Sequence, residues 1–264
     1  MRNPSDIIRV AAVLAVTLVP FCDAHARSAC PAGMVRAGSA CIDAYEASIW
    51  RIADPAGANK GLVKKILRNK VTLQDLTDAG AQQLGDPSDD WAPCDDDGSG
   101  CGDVYAVSLP DVLPSRWPSW FQAAEACANS GKRLPTNAEW QLAATGTPDL
   151  ADDSDVRCNT GADSAVRKTG SRSACVSTRG AYDMIGNLRE WVADWVPAYD
   201  ACPSWGSFSD DEMCFAGASS VAQGPAALVR GGGFFDETEA GIYYINASYL
   251  PHNHYHAHGV RCAR

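Results

Sequence analysis

Ten cysteines spread from Cys30 to Cys262, an even number in a chain that opens on an export leader, constrain this fold more than any other feature. The leader is read from the basic-tipped Met1–Arg9, the apolar run Val10–Phe21 and a small-x-small cleavage site at Ala24-His25-Ala26. That run is too short to span a bilayer. Residues 1–26 are therefore expected to leave as a signal peptide, taking Cys22 with them. The mature chain then starts at Arg27 as a soluble exported protein, with periplasm, cell surface or medium as its destination. The local pairs Cys30–Cys41, Cys94–Cys101, Cys158–Cys175 and Cys202–Cys214 each enclose a short polar loop, which leaves Cys127 for Cys262. Spacing favours this pairing, although the sequence permits many other connectivities. Closing the last loop would stabilise the fold by about 5 kcal/mol in the chain-entropy model.

Within this framework, Pro118–Ala144 reads as two helices joined by a fixed corner. Ser119 with Gln122 and Thr136 with Glu139 are two capping boxes, each contributing about 1 kcal/mol. Gly131 stands where a left-handed residue ends the first helix, and Pro135 keeps Leu134 out of the helical region. Phe121, Ala124, Cys127 and Ala128 are expected on the inward face of the first helix. Trp140 and Leu142–Ala144 continue the core from the second. This stretch is scaffold and is assigned no chemistry.

Cys30–Ile49 reads as an opening hairpin, and Val104–Pro110 as a short strand. Ile52–Asp90 reads as a surface insertion with helical pieces at Gly61–Arg68 and Thr72–Leu84. The acidic loop between Cys94 and Cys101 lacks the carboxylate twelve positions along that an EF-hand needs, so it is read as a solvated loop. In Ala181–Trp195, alternation places Trp191, Ala193 and Trp195 on the buried face of a strand. Ala226–Phe235 reads as a strand entering a glycine bend, with Ala240–Tyr249 and Gly259–Arg264 as the last strands. A net charge of −10 without any Lys/Arg cluster argues against nucleic acid or anionic membrane surfaces as partners.

Taken in order, G-K-R-L-P-T-N-A-E-W, G-N-L-R-E-W-V-A-D-W, V-R-G-G-G-F and G-V-R-C-A-R resemble the sulfatase-modifying-factor family, that of the formylglycine-generating enzyme. Cys41-Ile42-Asp43 and Tyr45-Glu46 extend the resemblance to the front of residues 27–264; it is weak over an insertion at about 50–116. It implies an α+β fold, a variant of the C-type lectin fold with little regular secondary structure. It also implies an oxidase that converts a sulfatase cysteine to formylglycine through a cysteine pair binding copper(I), which requires soft thiolates. Those cysteines should stand near Gly241 and Asn246, yet there is no cysteine between Cys214 and Cys262. No catalytic residue is therefore assigned, and copper is not expected. The resemblance further implies a structural calcium held by Asp183, the carbonyls of Gly186 and Leu188, and Glu190, a hard-oxygen set that suits Ca²⁺. The competing reading makes Asp183 a turn cap and Glu190 a solvated strand residue. Arg189, in place of the family's usual tryptophan, is available to neutralise Glu190 and so to displace the metal.

The C-terminal face, Ala240–His258, carries the remaining candidates. Tyr243, Asn246, Ser248, Tyr249, His252, Asn253, His254, Tyr255 and His256 give the mixture of rigid tyrosine area and adaptable hydrogen-bonding groups that recognition surfaces favour. Some members of the family are varied in this segment by diversity-generating retroelements. The expected function is thus an exported, non-catalytic family member that binds a protein or glycan ligand here. One alternative is an oxidoreductase of the formylglycine-generating type, acting on sulfatase cysteine or another substrate. Another is a Zn/Cu binder using the alternating His252, His254, His256 and His258, although no Cys, Asp or Glu lies within that run to complete a site. An exposed polar loop is the simpler reading of these histidines.

Overall fold

The computed structural model describes residues 29–149, 157–198, 201–202, 209–214 and 224–264. The signal peptide expected at 1–26 lies outside the described residues. The architecture is mixed α+β with short elements, tied by five disulfides whose pairing is the one favoured by spacing: Cys30–Cys41, Cys94–Cys101, Cys127–Cys262, Cys158–Cys175 and Cys202–Cys214.

Strands β1 (Met34–Ala37) and β2 (Ala40–Asp43) form the opening hairpin. Strand β3 (Ala47–Arg51), helices α1 (Lys60–Leu67) and α2 (Leu73–Asp78), β4 (Gln82–Leu84) and β5 (Val104–Ser108) follow. β4 and β5 flank β3 in a three-stranded antiparallel sheet. The segment expected to be a surface insertion therefore carries part of the core. Trp50 and Ile52 pack with Leu62 and Ile66 of α1, Leu76 of α2 and Tyr105 of β5 in one buried cluster.

Helices α3 (Trp120–Asn129) and α4 (Asn137–Ala144) both start at complete capping boxes, on Ser119 and Thr136. Gly131 has a φ of 67° at the end of α3. The buried face of α3 is Gln122, Ala123, Ala126 and Cys127, displaced from the expected one: Phe121 and Ala124 are half-buried and Ala128 is exposed. The cause is Gln122, whose Oε1 accepts the Ser119 N–H at 2.8 Å while its Nε2 donates to the Cys94 carbonyl at 2.9 Å. A satisfied polar side chain is thereby buried where hydrophobicity alone would not place one. On α4, Trp140, Ala143 and Ala144 are buried, but Leu142 is 41% exposed.

A five-stranded sheet runs β10-β6-β8-β9-β7, built from β6 (Arg189–Pro197), β7 (Met213–Cys214), β8 (Pro225–Arg230), β9 (Ile245–Asn246) and β10 (His258–Val260). Trp191 is fully buried, and its Nε1 donates to the Pro118 carbonyl at 2.8 Å. Trp195, expected on the same face, is 42% exposed. The β6–β8 register shifts between Trp191 and Trp195, and such a bulge ends the simple alternation. After β8 the chain turns at Gly231 (φ 87°), where a Cβ would stand 2.9 Å from the Met184 carbonyl. The last two strands are shorter than expected: the backbone between them meets Cys214, Ala227 and Arg189 only at single hydrogen bonds, and otherwise bonds to its own side chains and to Trp117 and Trp120. At the end of the chain the Cys41 N–H donates to the Arg264 carbonyl, and the Arg133 N–H to that of Ala263, both at 2.9 Å.

Candidate functional site

The C-terminal face lies over a buried guanidinium that is absent from the candidates read in the sequence. Arg189, the first residue of β6, donates from Nε to Asp236 Oδ2 at 2.8 Å and from Nη2 to Oδ1 of the same carboxylate. It does not neutralise Glu190, as its position suggested. Its Cζ lies 5.1 Å from the ring centre of Phe235, 5.5 Å from that of Tyr244 and 6.0 Å from those of Tyr249 and Tyr255. Its Nη1 also donates to the Tyr249 hydroxyl at 2.5 Å. Burial, the largest single influence, works against this charge, but the Asp236 hydrogen bonds and the charge interactions with Tyr244, Asp236 and Tyr249 together outweigh it, and the net shift is upward. A desolvated cation among ring faces fixes those rings.

The rings also brace one another. Tyr249 and Tyr255 stack at 6.1 Å, and His256 stacks on Phe235 at 5.5 Å. His258, expected in an exposed polar run, is fully buried, with Tyr249 and Trp191 edge-on at 4.4 and 4.6 Å. Neither of its ring nitrogens has a hydrogen-bond partner, and burial together with the nearby Arg189 charge pushes its pKa well below the ordinary histidine value. Above this floor Ser248, His252 and His254 are exposed, while Tyr243, Tyr249, Asn253, Tyr255 and His256 are half-buried. His254 pairs with Asp89, and Asn253 Oδ1 accepts the Leu250 N–H at 2.8 Å. His252 borders a cavity of about 270 Å³ with Phe121, Trp195, Leu250 and Pro251. Among the described residues, no histidine belongs to a group of three or more converging His, Cys, Asp or Glu ligand atoms.

Asn246 is a correction: expected on the face, it is buried in β9. Its Nδ2 donates to Glu212 Oε1 at 2.8 Å, and its Oδ1 accepts the Ser248 N–H and hydroxyl at 2.9 and 2.6 Å. The other position near which the family's thiols fall, Gly241, is also closed: a Cβ there would stand 2.1 Å from Asp211 Oδ1. Asp211 and Glu212 therefore put carboxylates beside both positions. Their pKa values are raised, chiefly by burial, that of Asp211 to about 6.

The calcium candidates sit on the opposite side of β6. Glu190 is buried, not solvated, and its carboxylate accepts from Arg261 Nε and Nη2 and from Trp140 Nε1 at 2.6–2.7 Å. Asp183, also buried, accepts the Gly170 N–H at 2.7 Å. Glu46, a third buried carboxylate, accepts the Leu188 N–H at 2.9 Å and the Asn187 amide. Burial and then the neighbouring Asp183 and Glu190 charges raise the Glu46 pKa well above the ordinary value; burial lifts Asp183 to about 6. Among the described residues the carbonyls of Gly186 and Leu188 accept no hydrogen bond. Three buried carboxylates share one guanidinium, and the unengaged carbonyls are hard-oxygen donors of the type Ca²⁺ takes, but among the described residues the oxygens of Asp183, Glu190 and Glu46 do not gather within 4.8 Å of one another. Glu190 would share its oxygens with Arg261. The Tyr45-Glu46 motif was visible in the sequence, but its partnership with Asp183 and Arg261 is set by contacts between distant segments.

Comparison with known proteins agrees with this architecture. The family model for the sulfatase-modifying factor enzyme 1-like domain matches residues 89–264, and the chain belongs to that family. Membership carries the family's variant of the C-type lectin fold. A formylglycine-generating enzyme of Thermomonospora curvata is 33% identical over 96 residues, 29% of this chain and 32% of that protein. The serine/threonine-protein kinase Pkn1 of Chlamydia trachomatis serovar L2 is 34% identical over 90 residues, 31% of this chain and 14% of the kinase. The matched stretches thus span a third or less of these relatives. The solved P3c variant of the Major Tropism Determinant aligns over 89% of this chain and 52% of its own, with 21% identity and a TM-score of 0.49.

Proposed function

We propose that this chain is an exported, non-catalytic member of its family that binds a protein or glycan ligand through the C-terminal face. The observation that carries this reading is the Arg189–Asp236 pair, buried under Tyr249, Tyr255 and Phe235, which holds those rings in place beneath the exposed Ser248, His252 and His254. A surface whose aromatic groups are already immobilised has less ordering entropy to lose on binding. Against oxidase chemistry, there is no cysteine between Cys214 and Cys262, and carboxylates of Asp211 and Glu212 stand beside Gly241 and Asn246, near which the family's thiol pair would fall. One structural calcium belongs to the same reading, held by Asp183, Glu190 and the carbonyls of Gly186 and Leu188, with Glu46 behind them.

An array of glycans and cell-surface proteins tests it. Ligands retained by the wild-type protein should lose at least about tenfold in affinity, the equivalent of one anchoring contact, when Tyr243→Ala and His252→Ala are combined. Unchanged binding by the folded double variant would place recognition elsewhere.

A further inference from the structure

The disulfide Cys202–Cys214 differs from the other four. Among the described residues Cys202 is the only exposed cysteine; Cys30 is half-buried and the remaining eight are buried. Thiol–disulfide exchange requires access of an attacking thiolate to a sulfur, so this is the bridge an external dithiol reaches first. It also has a carboxylate against it: Glu212 Oε1 lies 2.7 Å from Cys214 Sγ. One ligand atom from each of Cys202, Glu212 and Cys214 falls within 4.8 Å of the others, the only such group among the described residues. Glu212 is held in place by Asn246, whose Nδ2 donates to the same oxygen at 2.8 Å. The backbone is held as well: β7 is the edge strand of the five-stranded sheet, and its Cys214 pairs in register with Asn246 of β9.

We propose that Cys202, Glu212 and Cys214 form a redox-gated site for a thiophilic d¹⁰ cation of the Zn²⁺ type. In the oxidised protein the sulfurs are bonded to each other and the site is closed. A dithiol reductant delivers two electrons and two protons, cleaving the S–S bond to two thiols and leaving as its own disulfide. The metal then displaces both thiol protons and takes two thiolates and the Glu212 carboxylate, with the fourth tetrahedral position left to solvent. Sulfur and carboxylate together favour such an ion over the hard dication assigned to the Asp183 side of the molecule. The metal would replace the disulfide as the tie between Cys202 and β7, while the carbonyls of Glu212 and Cys214 keep accepting the Ile245 and Ala247 N–H groups of the C-terminal face at 3.2 and 2.9 Å.

The test uses the mature, oxidised protein and Zn²⁺ alone. Graded treatment with a phosphine reductant, followed by alkylation and peptide mass spectrometry, should label Cys202 and Cys214 before any other pair. At that stage one equivalent of Zn²⁺ should bind in competition with a chromophoric chelator, and none to the oxidised protein. Glu212→Gln, whose amide oxygen can still accept from Asn246 Nδ2, should weaken binding at least about tenfold, as losses of metal-supporting groups do. The Cys202→Ser/Cys214→Ser variant should abolish it. Earlier labelling of another pair, absence of stoichiometric Zn²⁺ after selective reduction, or undiminished affinity in Glu212→Gln would each overturn the proposal.

Discussion

His258 shows how far a residue's neighbours can move it from what its sequence context suggests. In an alternating run of histidines it looks like its three predecessors, yet it is the one enclosed by Trp191, Tyr249 and Tyr255. Its folded-state pKa lies well below the ordinary 6.5. The unfolded chain therefore binds this proton more readily, so the residue's contribution to stability is intact above pH 6.5 and is lost as pH falls below it. Replacing His258 with Phe keeps the ring packing and removes the titration. Urea midpoints measured at pH 7.5 and 5.0 should fall less in His258→Phe than in the wild type; an equal fall would exclude this histidine as the cause. Arg189 carries a similar lesson. Its substitution for the family's usual tryptophan was legible, but its partner was not, because Asp236 lies across a glycine bend whose course no local pattern records.

Elements governed by local rules were read well, and those governed by packing less so. Both capping boxes exist as expected because each involves four consecutive residues and their own backbone. Ser119→Ala and Thr136→Ala should each cost about 1 kcal/mol, measurable by chemical denaturation; Ser119, whose hydroxyl also donates to the Asp96 carbonyl at 2.7 Å, should stand at the upper end. A loss below a few tenths of a kcal/mol at both sites would mean that tertiary contacts alone fix these helix starts. β6 was misread at both ends. Glu190 and Val192, expected to face outward, are buried because the strand is covered on both faces there. Beyond Ala193 the register shift before Trp195 breaks the alternation. The short β9 was overextended for a related reason. Asn246 and Ser248 close a side-chain turn there, which competes with further pairing.

At the scale of the whole molecule, the C-terminal residues, the α3–α4 corner and the first strands form one unit. Cys127–Cys262 ties α3 to the C-terminus over a separation of 135 residues, Lys132 pairs with the buried Asp43, and Arg261 reaches Glu190 and the Asp43 carbonyl. Calcium at Asp183 and Glu190 would act at the centre of this unit. Without metal, the raised pKa values of Glu46 and Asp183 mean that the folded state holds protons the unfolded state releases. Stability contributed by the Asp183 proton is lost as pH rises from the ordinary carboxylate range through about 6, and that of the Glu46 proton as pH rises through its own raised pKa. Calcium should compensate: millimolar Ca²⁺ should raise the Tm at pH 7.5 and do so less at pH 5.0, where the ligands are protonated. A Tm indifferent to Ca²⁺ and EGTA at both values would remove the ion from the account. The segment at 50–116 was not legible as core, since Trp50, Leu62 and Tyr105 meet only once β3 and β5 have paired.

The central claim is that this chain keeps the family fold without its thiol–copper chemistry. The correctly oxidised, copper(I)-loaded protein can be incubated aerobically with a cysteine-containing sulfatase peptide, and the peptide followed by aldehyde-specific labelling and mass spectrometry. The account predicts a peptide whose cysteine is never converted to formylglycine, at any protein concentration. Formation of the aldehyde in proportion to added protein would contradict it.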